Sequence, residues 1–307
     1  MIWQRLGKIW LASDHLSWGS MGTLTPTPYL LGNGIVRVFC GIRDNVGVAR
    51  IGYFDILESN PTQVINFSQS PVLDIGIPGA FDDNGMLLGD LVKVRDTLRM
   101  YYVGFQPSTK AKFLAYGGLA ISNDNGQTFS RFSNAPVIDR DDNGLFIRAI
   151  HGIKKLDDGR FQAWYSEGSD WENINGKPYP QYSVATIFSD DGINFKKNDG
   201  IPVKLQRDGE YRLGRSRVFS FNENNHILTF TYGKANGEYQ SGYAHSSDLK
   251  NWVRKDDWGL DPGKDGFDSK HVAYPAIIRF SSGDTYCFYN GNDMGNGGIG
   301  LAKLIEP

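Results

Sequence analysis

The 307-residue chain has only two cysteines, no long apolar run and almost no net charge. Each shortage excludes something. Cys40 and Cys287 both sit inside strand-like runs, which is no disulfide framework, so both read as reduced core thiols. The longest apolar runs are a handful of residues, whereas a membrane-spanning helix needs about 20. The N-terminal stretch MIWQRLGKIW interrupts its apolar residues with charge and offers no small-residue cleavage site. It does not read as a signal peptide, and a cytoplasmic location follows by default. A net charge of −2 leaves no electrostatic footprint for nucleic acid or an anionic membrane. Helical periodicity is nearly absent. What remains is an ordinary globular balance, 40% hydrophobic and 21% charged, which suffices for a sizeable core.

The strongest positive signal is internal repetition. Five segments share one pattern of apolar strand, polar or glycine turn, apolar-aromatic strand and glycine. They read PYLLGNGIVRVFCG, DLVKVRDTLRMYYVG, HGIKKLDDGRFQAWYSEG, RVFSFNENNHILTFTYG and PAIIRFSSGDTYCFYNG, and close on Gly41, Gly104, Gly168, Gly233 and Gly291. Alternating apolar positions around turn chemistry make each a hairpin. A small-residue third strand follows each, as in GGLAIS from Gly117 and GIGLAKL from Gly298, and then a turn and a short fourth strand. Four antiparallel strands repeated five times predict an all-β chain, a single five-bladed β-propeller over residues 1–307. The last repeat stops after its third strand. The N-terminal strand near Gln4–Ala12 is therefore expected to supply the fourth, closing the ring and removing a free edge.

That topology places a site. The starts of the first strands and the ends of the second strands share one face, at the axis. Segments such as AFDDNGMLLGD, YRLGRSR, GFDSKHVAY and SEGSDWENINGKPYP meet there, dense in acids, arginines and aromatics. The opposite face holds bland turns such as GNG and DDG. One polar-rich face on a rigid scaffold is the usual layout of a binding site.

The hairpins, RD at 43–44, GAFDDNG at 79–85, GLAISNDNGQTF at 118–129, WYSEG at 164–168, GFDSKHVAYP, and YNGNDMGNGGIGLA near the end carry a resemblance. The chain resembles the five-bladed propeller glycosidases, the group of arabinanases, xylosidases, invertases, levansucrases and mannoside phosphorylases. It looks most like glycosidase-like propellers, some linked to bacterial surface-polysaccharide synthesis. The resemblance implies acids from the first three blades as nucleophile or base, proton donor and tuning group. Asp90 matches an acidic position of the arabinanase type. Thr27-Pro28 stands where blade one of that type has its acid, and His151 where blade three has its acid, so that triad is not intact. Asp44, Asp82, Asp83 and Glu167 on the same mouth are candidates to replace it.

Glycoside cleavage needs two carboxylates about 5–9 Å apart across the scissile bond. Neighbouring residues on a strand face opposite ways, so of Asp82 and Asp83 only Asp82, after Phe81, is expected to face the axis, unless both belong to a plain Asp-Asn-Gly turn. Glu167 follows AWYS, where aromatic surroundings raise a carboxyl's pKa and suit a proton donor. Arg43 and Asp44 suit either a sugar-orienting pair or a local salt bridge. Arg148, Arg215 and Arg217 suit a carboxylated sugar or phosphate, or else neutralise nearby aspartates. Trp171 offers a face for stacking on a sugar ring. Asp268 and Asn290 are candidate partners of substrate hydroxyls, and His151 and His271 complete the binding set. Related propellers can place a metal or water near such a histidine, but no metal-ligand spacing accompanies His271 and no cofactor is expected. SNDNGQTF resembles the Asp-box turn of sialidases and is assigned to structure.

The expected partner is a sugar or oligosaccharide, with an anionic one left open. The expected activity is glycoside hydrolysis by paired carboxylates. A non-catalytic glycan-binding propeller, and a transferase or phosphorylase of surface-polysaccharide assembly using the arginines for phosphate, stand as alternatives.

Overall fold

The computed structural model describes residues 1–196, 200–206 and 208–307. Among them are twenty strands, three 3-10 turns at Ala12–Asp14, Asp256–Trp258 and Gly266–Asp268, and one four-residue helical turn at Asn292–Gly295. In chain order the strands are β1 (Ile2–Trp10), β2 (Thr23–Gly32), β3 (Ile35–Arg43), β4 (Ala49–Leu57) and β5 (Asn60–Phe67), then β6 (Met86–Val94), β7 (Thr97–Pro107), β8 (Phe113–Ser122) and β9 (Ser130–Arg131). There follow β10 (Ile147–Lys155), β11 (Phe161–Ile174), β12 (Lys177–Ser189) and β13 (Gly200–Val203), and β14 (Glu210–Asn222), β15 (Asn225–Lys234), β16 (Tyr239–Ser246) and β17 (Val253–Arg254). The chain ends with β18 (Ala273–Arg279), β19 (Thr285–Asn290) and β20 (Ile299–Glu306).

Pairing within the sheets follows chain order. β2 to β5 form one antiparallel four-stranded sheet. The strands β6–β9, β10–β13 and β14–β17 repeat that meander. Short parallel contacts join these three meanders into one twelve-stranded sheet, Ile147 and Arg148 lying opposite Ala115 and Tyr116, and Tyr182 opposite Arg212. β1 pairs antiparallel with β20, so both ends of the chain share the sheet β1-β20-β19-β18. First strands pack side by side in the order β2, β6, β10, β14, β18, and β18 packs on β2.

Side-chain alternation explains why the middles of the second strands are mainly apolar on both faces. Successive residues point to opposite faces, and both faces are covered. Val38 joins the layer that holds Trp10, Phe54 and Phe288, while its neighbour Phe39 joins Met100 and Tyr102 in the next. Tyr101 turns away from Met100 to meet Ile150, Phe161 and Tyr165. Trp164 turns away from Tyr165 to meet Leu213 and Phe230. The reduced thiols lie within these layers, Cys40 beside Val38 and Cys287 beside Tyr243, and burial pushes both thiol pKa values up.

Three turns outside the third strands are copies of one another. Asp124, Asp191 and Asp248 each accept a hydroxyl from the serine two residues before (Ser122, Ser189, Ser246) and backbone N–H groups two to four residues ahead. The next residue in each, Asn125, Gly192 or Leu249, has a left-handed φ of 57°, 72° or 61°. Burial opposes the charge on Asp124, but its hydrogen bonds from Ser122, Thr128 and Gln127 outweigh this and hold it down to about 2.

The first sheet also contains a buried ion pair. Arg37 donates to both carboxylate oxygens of Asp55 at 2.8 and 2.9 Å, gives a third bond to the Gly126 carbonyl, and lies 3.6 Å over the Tyr53 ring. Removing one partner of such a pair leaves the other charge buried and unpaired, which costs about 3–5 kcal/mol. Asp55→Ala is therefore expected to lower unfolding free energy by about that amount in urea titrations, and a loss below about 1 kcal/mol would contradict the account.

Candidate functional site

Where the first strands converge, their backbones are too close for a regular ladder. A Cβ on Gly89 would stand 2.5 Å from the Ile150 carbonyl oxygen, and one on Gly152 would stand 2.6 Å from that of Ser216. Each first strand breaks register against its hairpin partner at a comparable point. The breaks lie between Leu24 and Thr27, Leu88 and Asp90, Ile150 and Gly152, Gly214 and Arg217, and Ala273 and Ala276. Such bulges re-aim side chains. Thr25, Arg215 and Tyr274, all within the breaks, have left-handed φ values of 58°, 60° and 56°. Each costs about 1–3 kcal/mol and persists only where the surroundings fix it. Asn290 Oδ1 accepts the Thr25 N–H at 2.7 Å, and Thr231 Oγ1 accepts that of Tyr274 at 2.8 Å.

The re-aimed residues border a cavity of about 390 Å³. Its polar lining includes His151, Ser166, Arg212 and Arg215; Tyr182, Tyr239 and Tyr274 supply aromatic surface. Among the described residues that line it, none is acidic. A second hollow of about 300 Å³ adjoins it, sharing Leu87, Phe105, Lys112 and Phe113.

The polar groups fix one protonation pattern. Arg215 Nη1 lies 3.3 Å from His151 Nδ1, and a guanidinium only donates, so Nδ1 accepts. Nε2 then carries the proton and donates to Ser166 Oγ at 2.9 Å, and that hydroxyl donates onward to the Leu213 carbonyl at 3.4 Å. Burial, reinforced by the Arg215 charge, holds His151 well below its ordinary 6.5. Burial also lowers Arg215 to about 10, which leaves it charged at neutral pH. Arg212 lies over the rings of Tyr239 and Tyr211, 4.6 and 5.0 Å from their centroids, and Tyr239 donates to or accepts from the Tyr274 hydroxyl at 2.9 Å.

Of the residues singled out in the sequence, His151 and Arg215 line this cavity. The acids sit elsewhere. Asp82 is fully buried, bonded by Arg131 Nε at 2.8 Å and the Tyr102 hydroxyl at 3.0 Å. Asp83 accepts the Gly79 N–H and the Asn84 amide. Residues 78–84 form turns rather than a strand, so the alternation expected to separate this pair does not apply. Asp44 accepts from Val46 N, Val48 N and Arg50. With Asp74 and Arg50 it borders a larger cleft of about 600 Å³ beside Trp18, where Arg50 pairs with both acids. Asp90 is held by Arg217 at 2.8 Å and by the N–H groups of Ile153 and Leu91. Burial raises its pKa against the pull of Arg217. Glu167 follows Ser166 on β11 and so points to the other side, accepting the Tyr165 hydroxyl at 2.6 Å with Arg148 Nε at 3.9 Å. It lines a cleft of about 510 Å³ with Asp142 and Asp170, and Tyr182 borders both that cleft and the cavity.

The remaining candidates make contacts within the protein. Arg43 donates to the Met294 carbonyl and Asn296. Arg148 binds the Asp139 carbonyl and pairs with Asp141. Trp171 stacks on Phe146 at 4.5 Å. Asp268 takes the Tyr289 hydroxyl and Arg5. His271 Nδ1 accepts the Asp293 N–H, and Asn290 ties Thr25 to the Thr23 carbonyl. Among the described residues no cluster of three or more His, Cys, Asp or Glu side chains is arranged to hold a metal ion. The sequence reading passed over Ser166, Tyr182, Tyr239 and Tyr274. Tyr274 lies at a first-strand break and Tyr239 opens a third strand, whereas Ser166 and Tyr182 lie inside β11 and β12 with no local signal of their own.

No family model matches the chain. The uncharacterized protein Rv1502 of Mycobacterium tuberculosis is 26% identical over 306 residues, 99% of each chain. A solved structure titled "Glycoside hydrolase" superposes with a TM-score of 0.73 at 16% identity, covering 99% of this chain and 92% of the other. A thermostable family-43 glycoside hydrolase gives 0.70 at 13% identity, with 96% and 93% covered. Other matching structures belong to further glycoside hydrolase families. This chain thus has the propeller fold found among glycoside hydrolases, and at these identities the likeness is one of fold.

Neutral His151 leaves a signature in pH dependence. The unfolded chain takes up a proton near pH 6.5 that the folded protein refuses, so stability is lost as pH falls below that value. The slope attributable to one such group approaches about 1.4 kcal/mol per pH unit. Between pH 7 and 5, wild-type stability is expected to fall more steeply than that of His151→Gln by about this amount. Parallel profiles in denaturant titrations would show that His151 takes up its proton equally in the folded and unfolded protein.

Proposed function

We propose that residues 1–307 form one five-bladed β-propeller closed by β1, and that it binds a sugar or oligosaccharide in the cavity where its first strands converge. The order in which the first strands pack, with β18 returning to β2, supports the ring. The cavity carries the functional reading. It combines aromatic faces for sugar C–H surfaces with fixed hydrogen-bonding groups, the composition expected of a small-molecule site. The adjoining hollow beside Phe105 and Phe113 adds a further volume of about 300 Å³ to it. The glycoside hydrolase fold is consistent with a carbohydrate ligand.

Glycoside hydrolysis is a second reading, favoured by the cleft beyond Tyr182. Glu167, bonded by Tyr165, would be the proton donor, and Asp142 or Asp170 the second carboxylate, with the saccharide passing across Tyr182. Asp82, Asp83, Asp44 and Asp90 are less suited, since each is already committed to an ion pair or a turn.

Thermal shift and calorimetry against a panel of neutral and acidic mono- and oligosaccharides test the binding reading. A ligand at a hundred times its Kd is expected to stabilise the protein by about 2.7 kcal/mol. Tyr182→Ala is expected to weaken it about tenfold, or about 1.4 kcal/mol. No response to any sugar would overturn saccharide binding. If the second reading holds, chromogenic glycosides are turned over by wild type and at least about a hundredfold more slowly by Glu167→Gln. Equal rates would remove Glu167 from the chemistry.

A further inference from the structure

Most buried or half-buried arginines among the described residues pair with a carboxylate. Arg37 has Asp55, Arg131 has Asp82, Arg217 has Asp90 and Arg254 has Glu210. The two that line the cavity do not. Among the described residues, no Asp or Glu lies within ion-pair distance of Arg212 or Arg215. Arg215 is only 7% exposed, and its Nε has no hydrogen-bond partner; the Nε of Arg212 is likewise buried without one. Lys112, a third cation, borders the same space.

Leaving a guanidinium buried and unmatched is costly, because the charge has lost water without gaining an anion. The fold pays a further strain to do so, since Arg215 holds a left-handed φ of 60°. Aromatic faces take up part of the charge, Arg212 over Tyr239 and Arg215 5.7 Å from the centroid of Tyr274. They leave the buried Nε–H of each guanidinium without an acceptor. Neutral His151 accepts one Arg215 N–H through Nδ1 but supplies no negative charge.

We infer that the ligand of this cavity presents an anionic group, a carboxylate, phosphate or sulfate, and that Arg212 and Arg215 bind it through their unmatched guanidinium edges. The planar fork of arginine matches the paired oxygens of all three anions. The inference rests on the saccharide-binding reading for the rest of the ligand. Such an anion is a substituent of the sugar, as in a uronic acid or sugar phosphate, or a free oxyanion beside a neutral sugar.

Matched ligands separate these cases. Calorimetry would compare glucose, galactose and mannose with their uronic acids and 6-phosphates, and with inorganic phosphate and sulfate alone. At least one acidic sugar is expected to bind tenfold or more tightly than its neutral parent, with an affinity that falls as sodium chloride rises. Arg212→Gln is expected to cost the acidic sugar at least about tenfold more affinity than it costs the neutral parent, and Arg212→Lys to keep part of that difference. The salt dependence needs no variant and covers the case in which Arg212→Gln misfolds. Binding of inorganic phosphate or sulfate alone, lost in Arg212→Gln, would equally support the anion site and assign it a free oxyanion. A neutral sugar binding as tightly as its acid, without salt dependence, would overturn the inference and leave saccharide binding standing. Failure of every sugar and every anion to bind would overturn both.

Discussion

Backbone crowding between neighbouring first strands sets the form of the centre of this protein. The Gly89 Cα faces the Ile150 carbonyl, and the Gly152 Cα faces that of Ser216, at distances that admit no side chain. A regular strand cannot pass through such a contact with its alternation unbroken. Each first strand gives up its register at this point, and the freed residues differ: Thr25, Gly89, His151, Arg215 and Tyr274. Five copies of one structural defect thus present five different side chains, or none. The scaffold can vary its central chemistry without changing its packing.

Charge is then distributed unevenly. Acids close to the converging strands are used to stabilise the frame. Asp82 anchors Arg131, Asp90 anchors Arg217, and Asp268 joins Arg5 to Tyr289. Removing Asp82 or Asp90 would leave a half-buried cation behind. The cavity, in contrast, keeps its cations and lacks acids among its described lining residues. Tyr182, Tyr239 and Tyr274 hold Arg212 and Arg215 without neutralising them. Neutral His151 fits the same logic, since a second positive charge beside Arg215 is disfavoured.

The strands were legible because hairpins bury both faces of their second strand and therefore repeat as apolar runs such as RMYYVG and GRFQAWYSEG. The Asp124, Asp191 and Asp248 turns were legible because a serine, an aspartate and a left-handed residue must recur at fixed spacing. The site was read less well. Sequence shows which residues reach the mouth, but not which partner each finds. Asp82 looks like a free acid until Arg131, 49 residues later, folds against it. Glu167 and Ser166 are adjacent, and only the register of β11 decides that the serine faces the cavity. His151 and Arg215 were legible because both lie in segments that lead into first strands at the mouth. Tyr239 and Tyr274, 35 residues apart, meet through their hydroxyls, a contact that no local pattern encodes.

The most direct test of the account is a crystal structure of the protein grown with the tightest-binding acidic sugar. The account predicts ring density against Tyr182 or Tyr239 and the anionic group within hydrogen-bonding distance, about 2.7–3.2 Å, of Arg212 and Arg215. Density instead in the Glu167 cleft alone, or beside Asp44 and Arg50, with both cavity arginines untouched, would contradict it.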